Sequence, residues 1–184
     1  MKNMEQDIER VLVNETQLAE ICDRIAAQIT EDYRDSDRDL VFVTILKGSV
    51  CFATDLTRRI PLPCEMEYMK VSSYGSASTT SGFIQVHLDL KRDIKDCDVI
   101  VVEDIIDSGK TLEKLGNLLE ERGANTVRYC TLLNKPGRRQ VNITPDYVGI
   151  EVPDAFVVGY GLDFNEQYRN LPYIGILKPS VYQK

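Results

Sequence analysis

Val99-Ile100-Val101-Val102-Glu103-Asp104-Ile105-Ile106-Asp107-Ser108-Gly109-Lys110-Thr111 joins an apolar run to three carboxylates and a turn of small residues. Four β-branched residues in a row make a short apolar run typical of a strand buried on both faces. The run leads straight into two adjacent carboxylates, and Asp107 then precedes a turn of small residues that opens a helix. Such a turn at a helix N-terminus presents unpaired N–H groups and the positive end of the helix dipole, which together cradle a phosphate. The tail Ser108-Gly109-Lys110-Thr111 is not an ATPase P-loop, because that motif needs glycine five residues before Gly109, where Asp104 stands. Three carboxylates beside a phosphate cradle would repel a polyphosphate unless a divalent cation lies between them, which brings Mg²⁺ into the reading.

Outward from this stretch, helices and strands alternate. Leu18, Ile21, Cys22, Ile25 and Ile29 form one helical stripe over residues 17–30, with Asn14 or Thr16 as cap. Residues 40–46, LVFVTIL, read as a strand covered on both faces, and 50–60 as a helix stopped by Pro61. Glu65 to Val71 and residues 83–90 read as strands around the small-residue segment 72–82. Leu112, Leu115, Leu118 and Leu119 mark a helix over 111–122 closed by Gly123. Residues 126–134, 146–152 and 155–160 supply three more short strands. The order predicts a single α/β domain over 1–184 with a mainly parallel sheet, whose ligands lie beyond the carboxyl ends of the strands. Three such exits carry unusual chemistry: 46–49, 103–111 and 134–139.

Composition narrows the function. The 184 residues carry 22 Lys+Arg against 29 Asp+Glu, a net charge of −7 that argues against a protein built to grip nucleic-acid phosphates. No apolar run approaches membrane-spanning length, and the N-terminus lacks the apolar core of a signal peptide, so a soluble cytoplasmic protein is expected. Five scattered cysteines, never as CxxC, suggest reduced core filler instead of a disulfide framework or a zinc site. The single histidine, His87, sits in a strand-like stretch and is expected to be partly exposed there.

The stretch 99–111 resembles the phosphoribosyl-pyrophosphate (PRPP) signature of type I phosphoribosyltransferases. The remaining exits, in family order along nearly the whole chain, resemble the hypoxanthine (hypoxanthine-guanine) enzymes: Leu46-Lys47-Gly48 their pyrophosphate loop, Ser73-Tyr74 the start of their mobile lid, Asn134-Lys135-Pro136 and Asp154 to Tyr160 their purine segments, and Gly161-Leu162-Asp163 to Tyr168-Arg169 their C-terminal segment. This resemblance implies a twisted parallel sheet flanked by helices, with a small hood and a lid at about 72–82. It implies that Glu103 and Asp104 meet the ribose hydroxyls and Mg²⁺, that Asp107 is the general base at purine N7, and that Ser108, Gly109, Lys110 and Thr111 hold the 5′-phosphate. It implies pyrophosphate contacts from Lys47, Gly48 and Arg169, with a non-proline cis peptide between Leu46 and Lys47. Lys135 is implied as donor to purine O6, Phe156 as stacking on the base, Val157 as offering backbone contacts, and Asp163 as the second Mg²⁺ site.

On the residues alone, Lys47 and the basic cluster Lys135, Arg138 and Arg139 read as surface charges at turns, Phe156 as a core aromatic, and Asp154 and Glu166 as surface carboxylates. The implied reaction transfers the 5-phosphoribosyl group of PRPP to N9 of hypoxanthine or guanine, releasing IMP or GMP and pyrophosphate. The lid would exclude water, with Tyr74 the one large side chain able to cover the pyrophosphate. Ser108 stands where many members have Thr, which keeps the hydroxyl. An RNA-binding regulator that retains the PRPP motif is opposed by the acidic charge, and a uracil or orotate enzyme by the Lys135 and Phe156 segments. Family members are usually dimers or tetramers, so a homo-oligomer without membrane or nucleic-acid partners is expected.

Overall fold

A computed structural model of the chain describes residues 4–73 and 84–183. The run at the centre of the sequence becomes β5 (Asp98–Ile106), flanked by β2 (Leu40–Ile45) and β6 (Thr126–Asn134), both parallel to it. With β3 (Glu65–Ser73), β4 (Ile84–Leu88) and β7 (Tyr147–Glu151), they make a six-stranded sheet in the order β4-β3-β2-β5-β6-β7. All its pairings are parallel except β3 with β4.

Alternation along these strands sorts the core into two layers. Phe42, Ile100, Val102, Cys130 and Leu132 pack with α1 (Glu15–Tyr33) and α2 (Val50–Thr57) on one face. Val41, Val43, Val99 and Val101 pack with Leu112, Leu115 and Leu119 of α3 (Lys110–Glu121) on the other. Both faces are covered by helices, which is why these strands read as continuous apolar runs. The expected stripe of α1 is buried throughout, and Asn14 is its cap: its side chain accepts from Gln17 N while Gln17 Oε1 accepts from Asn14 N, both at 2.9 Å. Gly123 closes α3 with φ of 86°.

Three features differ from the expectation. Helix α2 ends at Thr57, because Arg59 N and Ile60 N bond to the carbonyls of Leu56 and Thr57 in a tightened turn before Pro61. Strand β5 continues through Glu103 and Asp104 to Ile106, since its pairing with β6 persists to Asn134; the two carboxylates lie on the strand and not in a loop beyond it. The segment 155–160 yields only β8 (Val157–Val158), and it leaves the main sheet. It joins a second, antiparallel sheet in the order β1-β9-β8, with β1 (Ile8–Val13) and β9 (Ile174–Leu177) from the two ends of the chain. This small sheet, packed around Ile8, Val158, Tyr168, Leu171 and Leu177, stands where the hood was expected.

The five cysteines are free; Cys22, Cys97 and Cys130 are buried, and Cys51 and Cys64 half-buried. His87 is exposed on β4, within 2.8 Å of Ser72 Oγ. Among the described residues no helix is long and apolar enough to cross a membrane. Apart from Ser72 and Ser73, the lid expected at 72–82, Tyr74 included, lies outside the described residues.

Removing the Asn14 side chain orphans the Gln17 N–H, which loses its acceptor. Asn14→Ala is therefore expected to lower stability by about 1 kcal/mol with an unchanged denaturant slope, measured by urea unfolding.

Candidate active site

At the carboxyl end of the parallel sheet, three distant segments meet backbone to side chain. The turn after β2 brings Gly48 so close to β5 that a Cβ there would overlap the Asp104 carboxylate. Gly161, at φ of 105°, lies against the Gly48 carbonyl, and a Cβ there would overlap that oxygen. Only glycine satisfies both contacts. The Leu46–Lys47 peptide beside them is cis.

Strand parity puts Asp104 on the side of Ile100 and Val102, and Glu103 on that of Val99 and Val101. Asp104 Oδ1 accepts from Ile105 N at 2.7 Å, yet burial lifts its carboxyl to about 6, opposed by that bond and by Arg169. Burial, then the neighbouring Asp104, raises the Glu103 carboxyl well above the carboxylate range; its Oε2 is buried without a partner. Asp107 Oδ1 is likewise buried and unpartnered, while Oδ2 lies 3.4 Å from Arg138 Nη1.

Past Asp107 the chain turns at Gly109, φ 81°, into α3, whose N-terminus has no side-chain cap. A Cβ on Gly109 would press on Ile143 and Val141. Ser108 is held from behind by Gln140 N, which donates to its carbonyl at 3.0 Å. Lys110 N reaches Ser108 Oγ only at 3.5 Å, a long contact that an anion at the start of α3 can displace.

Asp104, Asp107, Lys135, Phe156, Val157 and Asp163 line one cavity of about 430 Å³. Lys135 is only 8% exposed, and its Nζ donates to the Ala155 carbonyl at 2.8 Å, so it is not the solvated loop charge its neighbours suggested. Phe156 is 37% exposed, too open for a core aromatic; Phe164 meets its ring edge-on at 5.5 Å, and Tyr182 of α4 (Pro179–Tyr182) stacks on it at 5.0 Å. Glu103, Lys47, Gly48, Arg169 and residues 108–111 are not among the residues that line this cavity. Lys47 Nζ reaches Glu166 Oε2 at 2.7 Å, and Arg169 Nη2 reaches Asp163 Oδ1 at 2.9 Å and Glu166 Oε1 at 3.3 Å. Ser73 ends β3, two strands from β5.

Sequence reading missed four participants. Arg138 and Asp154, expected to be solvated, face the cavity as a 2.8 Å ion pair. Glu166 ties two cations together, and Tyr182 covers the ring of Phe156. Only Arg138, three residues after Lys135, carried any signal; the others are placed by tertiary structure. A second cavity, of about 340 Å³, lies at the amino ends of β2 and β3, the end opposite to where ligands bind such sheets.

Among the described residues no cluster of three His, Cys, Asp or Glu side chains could hold a metal unaided. Mg²⁺ commonly takes one or two carboxylates and completes its shell with water and substrate oxygens. The unpartnered Glu103 oxygen and the uncompensated Asp104 carboxyl fit that kind of site.

The raised Asp104 carboxyl has a consequence for stability. A group protonated more readily folded than unfolded stabilises fully below about pH 4, and this contribution is lost as pH rises through about 6. Asp104→Asn is expected to raise metal-free stability at pH 7.5 by about 1–3 kcal/mol and to leave it unchanged near pH 3.5, measured by urea unfolding at both pH values. Equal stability at pH 7.5 would remove burial as the cause.

Comparison with known proteins bears on this geometry. The phosphoribosyl transferase domain family matches residues 12–165. A hypoxanthine-guanine phosphoribosyltransferase of Staphylococcus epidermidis is 48% identical over 98% of this chain and its own full length. One of Mycobacterium bovis is 47% identical over 96% of this chain and 90% of its own. A crystal structure of a hypoxanthine phosphoribosyltransferase from Staphylococcus aureus superposes with a TM-score of 0.93 at 45% identity, covering both chains completely. With the glycine-lined approach of three segments, the uncapped helix after β5 and full-length similarity all in agreement, the chain belongs to the hypoxanthine-guanine phosphoribosyltransferases of the phosphoribosyl transferase family.

Proposed function

We infer that this chain serves purine salvage, transferring the 5-phosphoribosyl group of PRPP to N9 of hypoxanthine or guanine and forming IMP or GMP with pyrophosphate. The observation that carries the reading is the sharing of one cavity by Asp107, Lys135 and Phe156, a proton acceptor, a buried cation and a partly exposed aromatic ring, next to the uncapped N-terminus of α3.

Each residue then has a task that its surroundings support. Phe156 offers its ring face to the base, braced by Phe164. Lys135 spends one N–H on the Ala155 carbonyl and keeps two for an exocyclic oxygen. An ammonium donor there favours a 6-oxo group over the 6-amino group of adenine, itself a donor. Val157 adds backbone groups. Asp107 accepts the N7 proton on its unpartnered Oδ1 as N9 attacks C1′, so the base gains no net positive charge. The N9–C1′ bond forms while the bond from C1′ to the pyrophosphate oxygen breaks, with inversion.

Residues 108–111 hold the 5′-phosphate through main-chain N–H groups and hydroxyls. Lys47, Gly48 and Arg169 receive the developing negative charge on pyrophosphate. The acceptor oxygens of Glu103 and Asp104 face a lack of donors that ribose hydroxyls supply. The reading is Mg²⁺-dependent: Glu103 and Asp104 are the residues that would hold one ion and Asp163 a second, and bound there the ions would neutralise the diphosphate. Residues 1–184 are read as one catalytic domain, acting in the cytoplasm as a homo-oligomer, dimer or tetramer.

The test is a spectrophotometric assay with PRPP and Mg²⁺, offering hypoxanthine, guanine, xanthine, adenine and uracil separately. Product is expected from the 6-oxopurines, with adenine and uracil inert. Asp107→Asn should lower kcat by about 10²–10⁴-fold with little change in KM. Lys135→Ala should raise the KM for hypoxanthine and erode discrimination against adenine. Turnover of uracil, or an unimpaired Asp107→Asn, would overturn the assignment.

A further inference from the structure

We propose that Glu166 is an internal counter-ion of the pyrophosphate subsite, exchanged for the incoming diphosphate and returning as pyrophosphate leaves. This rests on the function proposed above, which gives Lys47 and Arg169 to the pyrophosphate.

The two oxygens of Glu166 are divided between exactly those two cations, Oε2 to Lys47 at 2.7 Å and Oε1 to Arg169 at 3.3 Å. An isolated surface ion pair would be worth little and would mean little. Here the carboxylate is placed by a built turn. Asn165, Glu166 and Tyr168 have φ of 49°, 61° and 73°, a backbone region that side-chain-bearing residues seldom adopt. Asp163 Oδ2 accepts from Glu166 N at 2.8 Å and fixes the turn, while Phe164 and Gln167 bridge it through their backbones. Without a preference for this placement, three such residues within four positions would be an unrewarded cost.

The charges close on themselves. Lys47 and Arg169 are offset by Asp163 and Glu166, with Asp104 close by against Gly48, so this corner has no cation left without a carboxylate. A diphosphate that pairs with Lys47 and Arg169 competes with Glu166 for both, and it would meet that carboxylate at close range. Asp163 is already engaged by Arg169 and by Glu166 N, so it cannot take over the bridge. Glu166 and Lys47 are both exposed, at 64% and 50% of their side chains, which leaves the pair free to open. Competition of this kind weakens pyrophosphate as much as PRPP. It therefore eases product departure, at the cost of some substrate affinity, without touching the base pocket.

The experiment compares the full chain with Glu166→Gln, and with Asp154→Asn as a carboxylate removed from an ion pair on the base side. Binding of magnesium pyrophosphate is measured by calorimetry, and its inhibition constant against PRPP is measured in the forward reaction. Glu166→Gln is expected to bind pyrophosphate roughly three- to tenfold tighter, the release of two exposed ion pairs. The KM for PRPP should fall in step and the KM for hypoxanthine should hold. The gain should shrink in high salt, where exposed charges are screened. Asp154→Asn should leave pyrophosphate binding unchanged; an equal gain there would reduce the effect to net charge and overturn the proposal. Unchanged or weaker pyrophosphate binding by a folded Glu166→Gln that still forms nucleotide overturns it while the proposed function stands. Failure of the unsubstituted chain to bind pyrophosphate at all overturns both.

Discussion

The site depends on a packing constraint: Asp104 can lie at the end of a buried strand only because the chain passing over it has no side chain. Gly48 covers the carboxylate and Gly161 covers Gly48, so residues 48, 104 and 161 form one stack drawn from three remote parts of the sequence. A methyl group at either glycine would separate the loop after β2 from β5, and with it Lys47 from the segment that carries Asp163 and Arg169. The same tightness strips water from Asp104, whose acidity falls accordingly, while Glu103 is buried on the other side of the strand. Binding chemistry and fold strain share a source here, which is the burial of acceptors without donors.

An imbalance of partners follows. Every cation of the site already has one: Lys47 has Glu166, Arg169 has Asp163 and Glu166, Arg138 has Asp154 and Asp107, and Lys135 has the Ala155 carbonyl. The buried atoms left without partners include carboxylate oxygens of Glu103 and Asp107. Although Arg169 Nε is also buried without a partner, the carboxylates of the site face a shortage of donors. Ribose hydroxyls, a purine N–H and a hydrated divalent cation are what would relieve it, and the proposed substrates bring the first two themselves. The anionic parts of the ligand must instead displace internal carboxylates, which separates how the two ends of PRPP are received.

Much of the main sheet was legible because its strands are buried on both faces and α1 and α3 show single apolar stripes. The sequence left the cap of α1 open between Asn14 and Thr16, and the reciprocal bonds with Gln17 decide for Asn14. The extension of β5 through Glu103 and Asp104 was not legible, since carboxylates read as an exit when pairing with β6 cannot be seen. The small sheet escaped for a related reason: Ile8–Val13 and Ile174–Leu177 are individually too short to be distinctive and acquire meaning only by pairing across the length of the chain. The segments of the site were found through family resemblance in the order of their motifs. Physical spacing alone pointed to the phosphate turn and its carboxylates, while Lys135 and Phe156 looked like ordinary surface and core residues. Tyr182, Asp154 and Glu166 had no local signal, because what they touch lies far away in sequence.

The base cavity has walls from two different sheets, and this sets what its affinity depends on. Asp107 and Lys135 follow strands of the main sheet, whereas Phe156, Val157 and Tyr182 belong to the small sheet and the short helix after it. The small sheet is tied at the chain ends: Leu177 N donates to the Phe156 carbonyl at 2.8 Å, Lys178 N to that of Asp7 at 2.9 Å, and Lys178 Nζ to that of Gln6 at 2.6 Å. Strand β1, which touches no part of the cavity, thereby fixes β9, and β9 fixes the aromatic wall. The phosphate side has no such dependence, since residues 104–111 are held by β2, β6 and α3. Under the proposed function, the aromatic wall for the purine would rest on the least extensive sheet of the molecule and the phosphate turn on the most extensive, so loosening of the chain ends would disturb the aromatic wall well before it reached the phosphate turn.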